Sequence, residues 1–469
     1  MEKGKPMKHA TFAMAAGVIL AALAIAQDLP LEVLLLSRVK HHIQDELQRL
    51  PNITCLETVQ REYQPPQGKM RPLDTICLEV LTNGQRELFA SPGDRKFSAR
   101  HPISYAGSGV LGDGLFGLYL KDILENGYVS TQYKGEEEIG GRRLARYDYR
   151  LPLMWSGQKI QTTEGSGTVG LHGSFWADLQ TYDVLRLELN AEDIPPTLPL
   201  TEAVTNINYA RIRLAGDVVA LLPESAEFRM RKFSGEISHN RVQFTHCRTF
   251  ETQSTVNFDA PDSAQQTIHF GVSSIDDTLR PLPGGLQIVV KLSSPISGDA
   301  AVGTLIGGVI ADKVAPKKGT VLIPAGAPVR GRIRRLERYT DPFPYFVVAL
   351  EFTEVELHGI RHRFYADLVE IESGRGVEQT LVYNSSIRVR HAPANQMPAT
   401  LQDIHGIQAA PSTGEVADSE DLEVKRTRQT FWLPHLPGVA TFFFKGGKLD
   451  LPQGFRTVWK TRRWPPESR

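Results

Sequence analysis

Gly107-Ser108-Gly109-Val110-Leu111-Gly112 spells the dinucleotide fingerprint letter for letter. Those glycines cradle a pyrophosphate only where they follow a strand and open a helix in a βαβ unit, and no apolar strand precedes them here. The segment reads as a flexible loop. Acyl transfer would need a nucleophile beside a base, and Gly-x-Ser-x-Gly, the turn that presents a serine, does not occur in the chain. For metals, His358 and His362 flank a Gly-containing turn and His41 and His42 are adjacent. Neither pair puts two imidazoles on one helix face with a carboxylate, and neither has cysteines at zinc spacing, so these histidines read as solvated or strand-end residues. Glu136-Glu137-Glu138 reads as a solvated charge run before a hairpin. The residues thus assign no catalytic group, no metal and no cofactor.

Four large side chains remain as candidate ligand contacts: Phe116, Tyr119, Trp155 and Trp176. Phe116 and Tyr119 fall in Leu115 to Glu125, which reads as a short helix. If that helix covers a sheet, both rings could line a pocket beneath it, with Trp176 at a strand end. Arg330, Arg332 and Arg334 alternate with apolar positions and form a basic stripe, which Glu351, Glu354 and Glu356 would neutralise across the sheet.

The elements that position these residues are mostly strands. Leu31, Leu35, Val39, Ile43, Leu47 and Leu50 recur at helical spacing from Leu29 to Leu50, with Asp28 placed to cap and Pro51 to stop the helix. The period then becomes two: Leu185, Leu187 and Leu189 alternate with Arg186, Glu188 and Asn190, and Ala226, Phe228 and Met230 with Glu227, Arg229 and Arg231. Asn83-Gly84, Gly140-Gly141, His358-Gly359 and Gly446-Gly447 punctuate strand-like runs as hairpin turns do. The fold class is mainly β (α+β): a curved antiparallel half-barrel sheet with covering helices over residues 27–258, then a small β-barrel domain over 284–373. A polar linker spans 259–283, a long loop or partly disordered arm 374–430, and returning strands over 431–462 close the second domain.

Residues 1–26 read as a signal peptide. Lys3, Lys5 and Lys8 precede an apolar, Ala-rich stretch, and Ala24-Ile25-Ala26 offers small residues for cleavage before Gln27. The apolar run is shorter than the roughly 20 residues a membrane-spanning helix needs, so the mature chain is not expected to span a membrane. The expected location is periplasmic or extracellular. Of three cysteines, Cys55, Cys77 and Cys247, the first and last fall near the start and end of the first domain and are expected to form a disulfide in an oxidising compartment, the alternative being three small buried residues. Lys plus Arg and Asp plus Glu are both 53, so no net field draws the chain to nucleic acid.

An opening helix, strands, a Gly-Gly hairpin into Arg143 to Leu151, and Phe175-Trp176-Ala177-Asp178 running through Asp183 into the Leu185 to Leu189 strand resemble the LolA-like half-barrel of periplasmic lipoprotein carriers and RseB-type regulators. That resemblance implies a concave face holding acyl chains or an apolar peptide, without catalysis. Gly303-Thr304-Leu305-Ile306, then Val321 to Gly326 and Val329-Arg330-Gly331, resemble the β-barrel domain of conjugation and type IV secretion channel proteins. Leu50 to Cys55, Leu88 to Gly93, His172 to Asp178 and Leu436 to Val439 are similar to segments of a group of uncharacterised exported acidobacterial proteins. The expected function is a non-catalytic cell-envelope protein binding an apolar ligand, lipid or lipoprotein-like, or an envelope protein partner. The alternatives are a structural scaffold of an envelope or secretion assembly, and an exported hydrolase.

Overall fold

The computed structural model describes residues 29–94, 96–106, 108–162, 164–214, 218–250, 279–315, 322–340, 343–372, 380–381, 388–390 and 438–464. The expected signal peptide, most of the expected linker and most of the expected arm lie outside the described residues.

The first domain opens with helix α1 (Leu31–Arg49). Its strands are β1 (Ile53–Gln64), β2 (Arg71–Thr82), β3 (Glu87–Ala90), β4 (Ser130–Ile139), β5 (Arg142–Leu151), β6 (Lys159–Gln161), β7 (Ser166–Thr168), β8 (Gly170–Asp178), β9 (Val184–Glu192), β10 (Leu200–Arg213), β11 (Val219–Lys232) and β12 (Ile237–Thr249), with helix α2 (Leu118–Leu124) between β3 and β4. Ten strands form one sheet in the order β3-β2-β1-β12-β11-β10-β9-β8-β5-β4, and β6 and β7 form a separate hairpin. Period-two sequence builds these strands because one face is covered: Leu187, Leu189, Ala226 and Phe228 are all buried. At Ala177 the β8–β9 register shifts, so Val184 faces inward and the simple alternation begins only after Leu185. The Gly140-Gly141 turn closes β4–β5 with both residues at positive φ.

Both helices differ from their expected starts. α1 begins after Pro30, whose carbonyl takes the Val33 and Leu34 amides, and no side chain caps it; Asp28 lies outside the described residues. It buries Val39 and Ile43 and leaves Leu31 82% exposed, so only its middle lies down on the sheet. α2 starts at Leu118 because the Gly114 and Phe116 amides donate to the Glu87 carboxylate at 2.7 and 2.8 Å, which holds that segment out of helix. Gly117 then turns at φ 151°, and a Cβ there would meet the Leu47 side chain at 2.5 Å.

The second domain contains β13 (Arg280–Pro281), β14 (Gln287–Leu292), β15 (Ile296–Ser297), β16 (Leu305–Ile310), β17 (Pro328–Tyr339), β18 (Tyr345–Leu357), β19 (Ile360–Arg363), β20 (Ala366–Glu372), β21 (Thr380–Leu381), β22 (Arg388–Arg390), β23 (Val439–Lys445), β24 (Asp450–Leu451) and β25 (Arg456–Thr461). Its main sheet runs β13-β19-β18-β17-β16-β14-β25-β20-β22, with β23 pairing β18 and β21. Phe352, Phe364 and Trp459 meet edge to face in its core. Within the stretch read as an arm, β21 and β22 pair with β23 and β20.

The two large sheets, which fall in the two expected domains, are joined by backbone as well as side chains. β3 covers β2 over Glu79 to Thr82, and next to that pairing Val302 takes the free edge: its amide donates to Thr75 O at 2.8 Å and its carbonyl accepts from Cys77 N at 2.9 Å. Gly303 follows at φ 92°, where a Cβ would lie 2.5 Å from the Cys77 carbonyl. The Cys55–Cys247 disulfide ties β1 to β12, with Cys77 free.

Candidate binding cavity

On the covered face of the first sheet lies a cavity of about 50 Å³. Strands β8 to β11 supply its apolar wall through Leu171, Leu189, Phe228 and Met230. The loop Ser108–Asp113 supplies Val110 and Leu111 on the opposite side, and Ile160 of the β6–β7 hairpin covers one flank. Polar residues line it as well: His101, Asp113, Gln158, Lys159, Gln161 and Thr205, the last on β10 between Leu189 and Phe228. At roughly 10–15 Å³ of such volume per water, the space as it stands holds a few waters and no long chain.

The four candidate residues are not brought together. Tyr119 lines the cavity. Phe116 is buried beside it, edge to face with Phe244 at 4.8 Å, and packs in the core. Trp155 sits in a short turn after β5, 44% exposed, stacked on Tyr128 with ring centroids 3.7 Å apart. Trp176 points to the opposite face of β8 from buried Phe175, between the Arg146 and Arg186 guanidiniums, its Nε1 donating to Glu137 at 2.8 Å. The wall residues Leu189, Phe228 and Met230 stand on alternating runs legible in the sequence; reading them as a wall required knowing which loop lies opposite.

Asp113 of the cavity lining stands near two buried carboxyls, Glu87 and Glu57. Burial, with Asp113 nearby, pushes Glu87 up to about 7 despite its two backbone donors. Glu57, buried on β1, is raised well above the usual carboxylate range by burial and by Glu87 and Asp113. Burial holds His101 below its usual value, and Asp113 opposes that from 3.6 Å. His101 Nδ1 accepts from the Ile103 amide at 3.2 Å, and among the described residues no hydroxyl or thiol hydrogen-bonds this histidine. The arrangement can hold an apolar group with a polar end; it does not assemble a nucleophile and base.

A second cluster lies where the domains meet. Arg61 of β1 binds Asp74 of β2 and approaches Glu337 of β17 at 3.4 Å, with all three side chains within 1% of fully buried. Burial works against the Glu337 charge, but Arg335 and Arg61 outweigh it and hold the carboxyl below its usual value. Arg332 of β17 reaches Asp94 of the first domain. Arg330 and Arg334 pair with Glu356 and Glu351 at 3.6 Å each, so much of the basic stripe is neutralised across the β17–β18 pair.

No family model matches the sequence, and no curated protein matches it. Among solved structures the chain is similar to a DUF1329 family protein from Desulfovibrio piger (12% identity, 46% of this chain and 92% of that one, TM-score 0.23). It is also similar to a LolA superfamily protein from Nitrosomonas europaea (10%, 46% and 94%, TM-score 0.23). A third is an outer membrane lipoprotein-sorting protein domain from Vibrio parahaemolyticus (13%, 47% and 93%, TM-score 0.25). Likeness at these scores transfers nothing to this chain. Among the described residues no helix is long and apolar enough to cross a membrane.

Proposed function

We propose that this chain is a non-catalytic exported envelope protein whose LolA-like first domain holds an apolar ligand, the acyl part of a lipid or lipoprotein, against the covered face of its sheet. The observation that carries this reading is the cavity on the covered face of the sheet, walled by Leu171, Leu189, Phe228 and Met230 with a minority of polar groups such as His101, Asp113 and Thr205 among its lining. That is the distribution a site needs to bury a chain and orient its head. The signal-peptide pattern and the Cys55–Cys247 disulfide support export. The second domain serves assembly.

A scaffold role is the second reading, and one observation favours it: the cavity's volume of about 50 Å³ is far below what a chain of sixteen carbons fills. The carrier reading therefore requires the loop Ser108–Asp113 or the β6–β7 hairpin to move. Native mass spectrometry of the mature protein from its own periplasm, with organic extraction of bound material, separates the two. A co-purifying lipid that is lost in an Ala203→Leu variant, which fills the cavity, supports the carrier. An empty protein that also takes up no added fatty acid overturns it.

A further inference from the structure

The loop that walls the cavity is tied down by the other domain. Ser108 donates its hydroxyl to Glu337 at 3.0 Å, and its carbonyl accepts from Arg61. Glu337 is fully buried on β17, where it also accepts from the Tyr339 hydroxyl at 2.7 Å and from Arg335. Two residues beyond Ser108, the Val110 carbonyl accepts from Asn240 at 2.7 Å, and Val110 to Asp113 face the cavity. A single short segment is therefore gripped at one end by the second domain and forms the cavity wall at the other.

We propose that the second domain is a latch on this cavity. With the domains docked, Glu337 fixes Ser108 and Arg61, and the loop Ser108–Asp113 keeps the cavity too small for a chain. Drawing β17 away removes the acceptor that orients the Ser108 hydroxyl and leaves the loop held by Arg61 and Asn240, which loosens it on the sheet. Glu337 keeps Tyr339 and Arg335 on its own strand, so what undocking breaks is its contact with Ser108 and Arg61, and its hold on the loop is lost with the docking. Docking of the second domain and occupancy of the cavity then oppose each other as two linked equilibria. The inference rests on reading the cavity as an apolar-ligand site.

Hydrogen exchange of the full chain, beside binding of the neutral dye Nile red, tests it in Ser108→Ala and Glu337→Gln variants. Ser108→Ala keeps every charge of the cluster. It is expected to fold with a modestly lowered unfolding midpoint, to exchange the amides of Ser108–Asp113 about tenfold faster, the scale of one hydrogen bond to a buried charge, and to bind the dye more tightly. Adding Ala203→Leu should remove the gain in dye binding. Glu337→Gln should loosen the loop further; if it fails to fold, Ser108→Ala carries the test. Loop exchange unchanged in the folded variants overturns the latch. Faster exchange with no dye bound in any variant leaves the latch standing and overturns the ligand reading.

Discussion

Arg61 and Asp74 face each other across β1 and β2 in a two-point contact, Nε to Oδ1 and Nη2 to Oδ2, both at 2.6 Å and each side chain 1% exposed. Glu337 and Arg335 complete the group, two charges of each sign sealed at the domain junction. Truncating one member strands a buried charge, so Asp74→Ala is expected to cost about 3–5 kcal/mol. Replacing both, Arg61→Met with Asp74→Leu, leaves Glu337 paired with Arg335 and should cost much less than the single change. Urea midpoints at unchanged slope measure both; equal losses would show that the pairing is not what stabilises the junction.

The Cys55–Cys247 bridge closes a loop of 192 residues. Chain entropy assigns such a loop about 5 kcal/mol as an upper bound. Thermal unfolding of the Cys55→Ser, Cys247→Ser double variant should therefore show a markedly lower midpoint, and reductant should lower the wild type toward it. Matching midpoints in all three samples would contradict this.

Stability should fall as pH rises through the range that Glu87 governs. Its carboxyl titrates near 4.5 in the unfolded chain and about 7 in the folded one. Between those values the folded state keeps a proton that the unfolded state has released, so raising the pH favours unfolding, by about 3 kcal/mol at most. Glu57 is shifted in the same direction. Chemical unfolding at pH 5 and pH 7.5 measures the slope, and Glu87→Gln should flatten it; a wild type more stable at the higher pH would refute the assignment.

Trp176 is expected to matter for folding and not for ligand uptake. It is 5% exposed between two guanidiniums at 5.3 and 4.9 Å, on the face of β8 away from the cavity. Trp176→Ala should cost about 3–5 kcal/mol. Nile red affinity, measured where the variant remains folded, should stay that of the wild type, whereas Phe228→Ala should alter it.

Local pattern made the strands legible, because a half-buried sheet forces Ala226, Phe228 and Met230 to one side whatever lies above them. It failed where the chain departs from simple repetition. The register shift at Ala177 brings Val184 inward, and the Glu87 carboxylate delays α2 by three residues. Tyr119 was found at the cavity because it rides on an element that had to cover the sheet; Trp176 was not, since an aromatic at a strand end carries no sign of which face it takes. Arg61 pairs with a residue 13 positions away and with another 276 away, and no spacing rule connects the second pair.

Val302 leaves one further mark on the molecule. By taking the amide of Cys77 and giving its own to Thr75, it occupies hydrogen-bonding groups that would otherwise point outward from the flank of β2. Such a bare flank is a template for strands of other molecules, and proteins commonly blunt it with charge, proline or a covering segment. Here the covering segment belongs to a different domain, so undocking would also uncover a self-association surface. Solutions of a weakened-junction variant should therefore form intermolecular strand aggregates at concentrations where the intact protein stays dispersed.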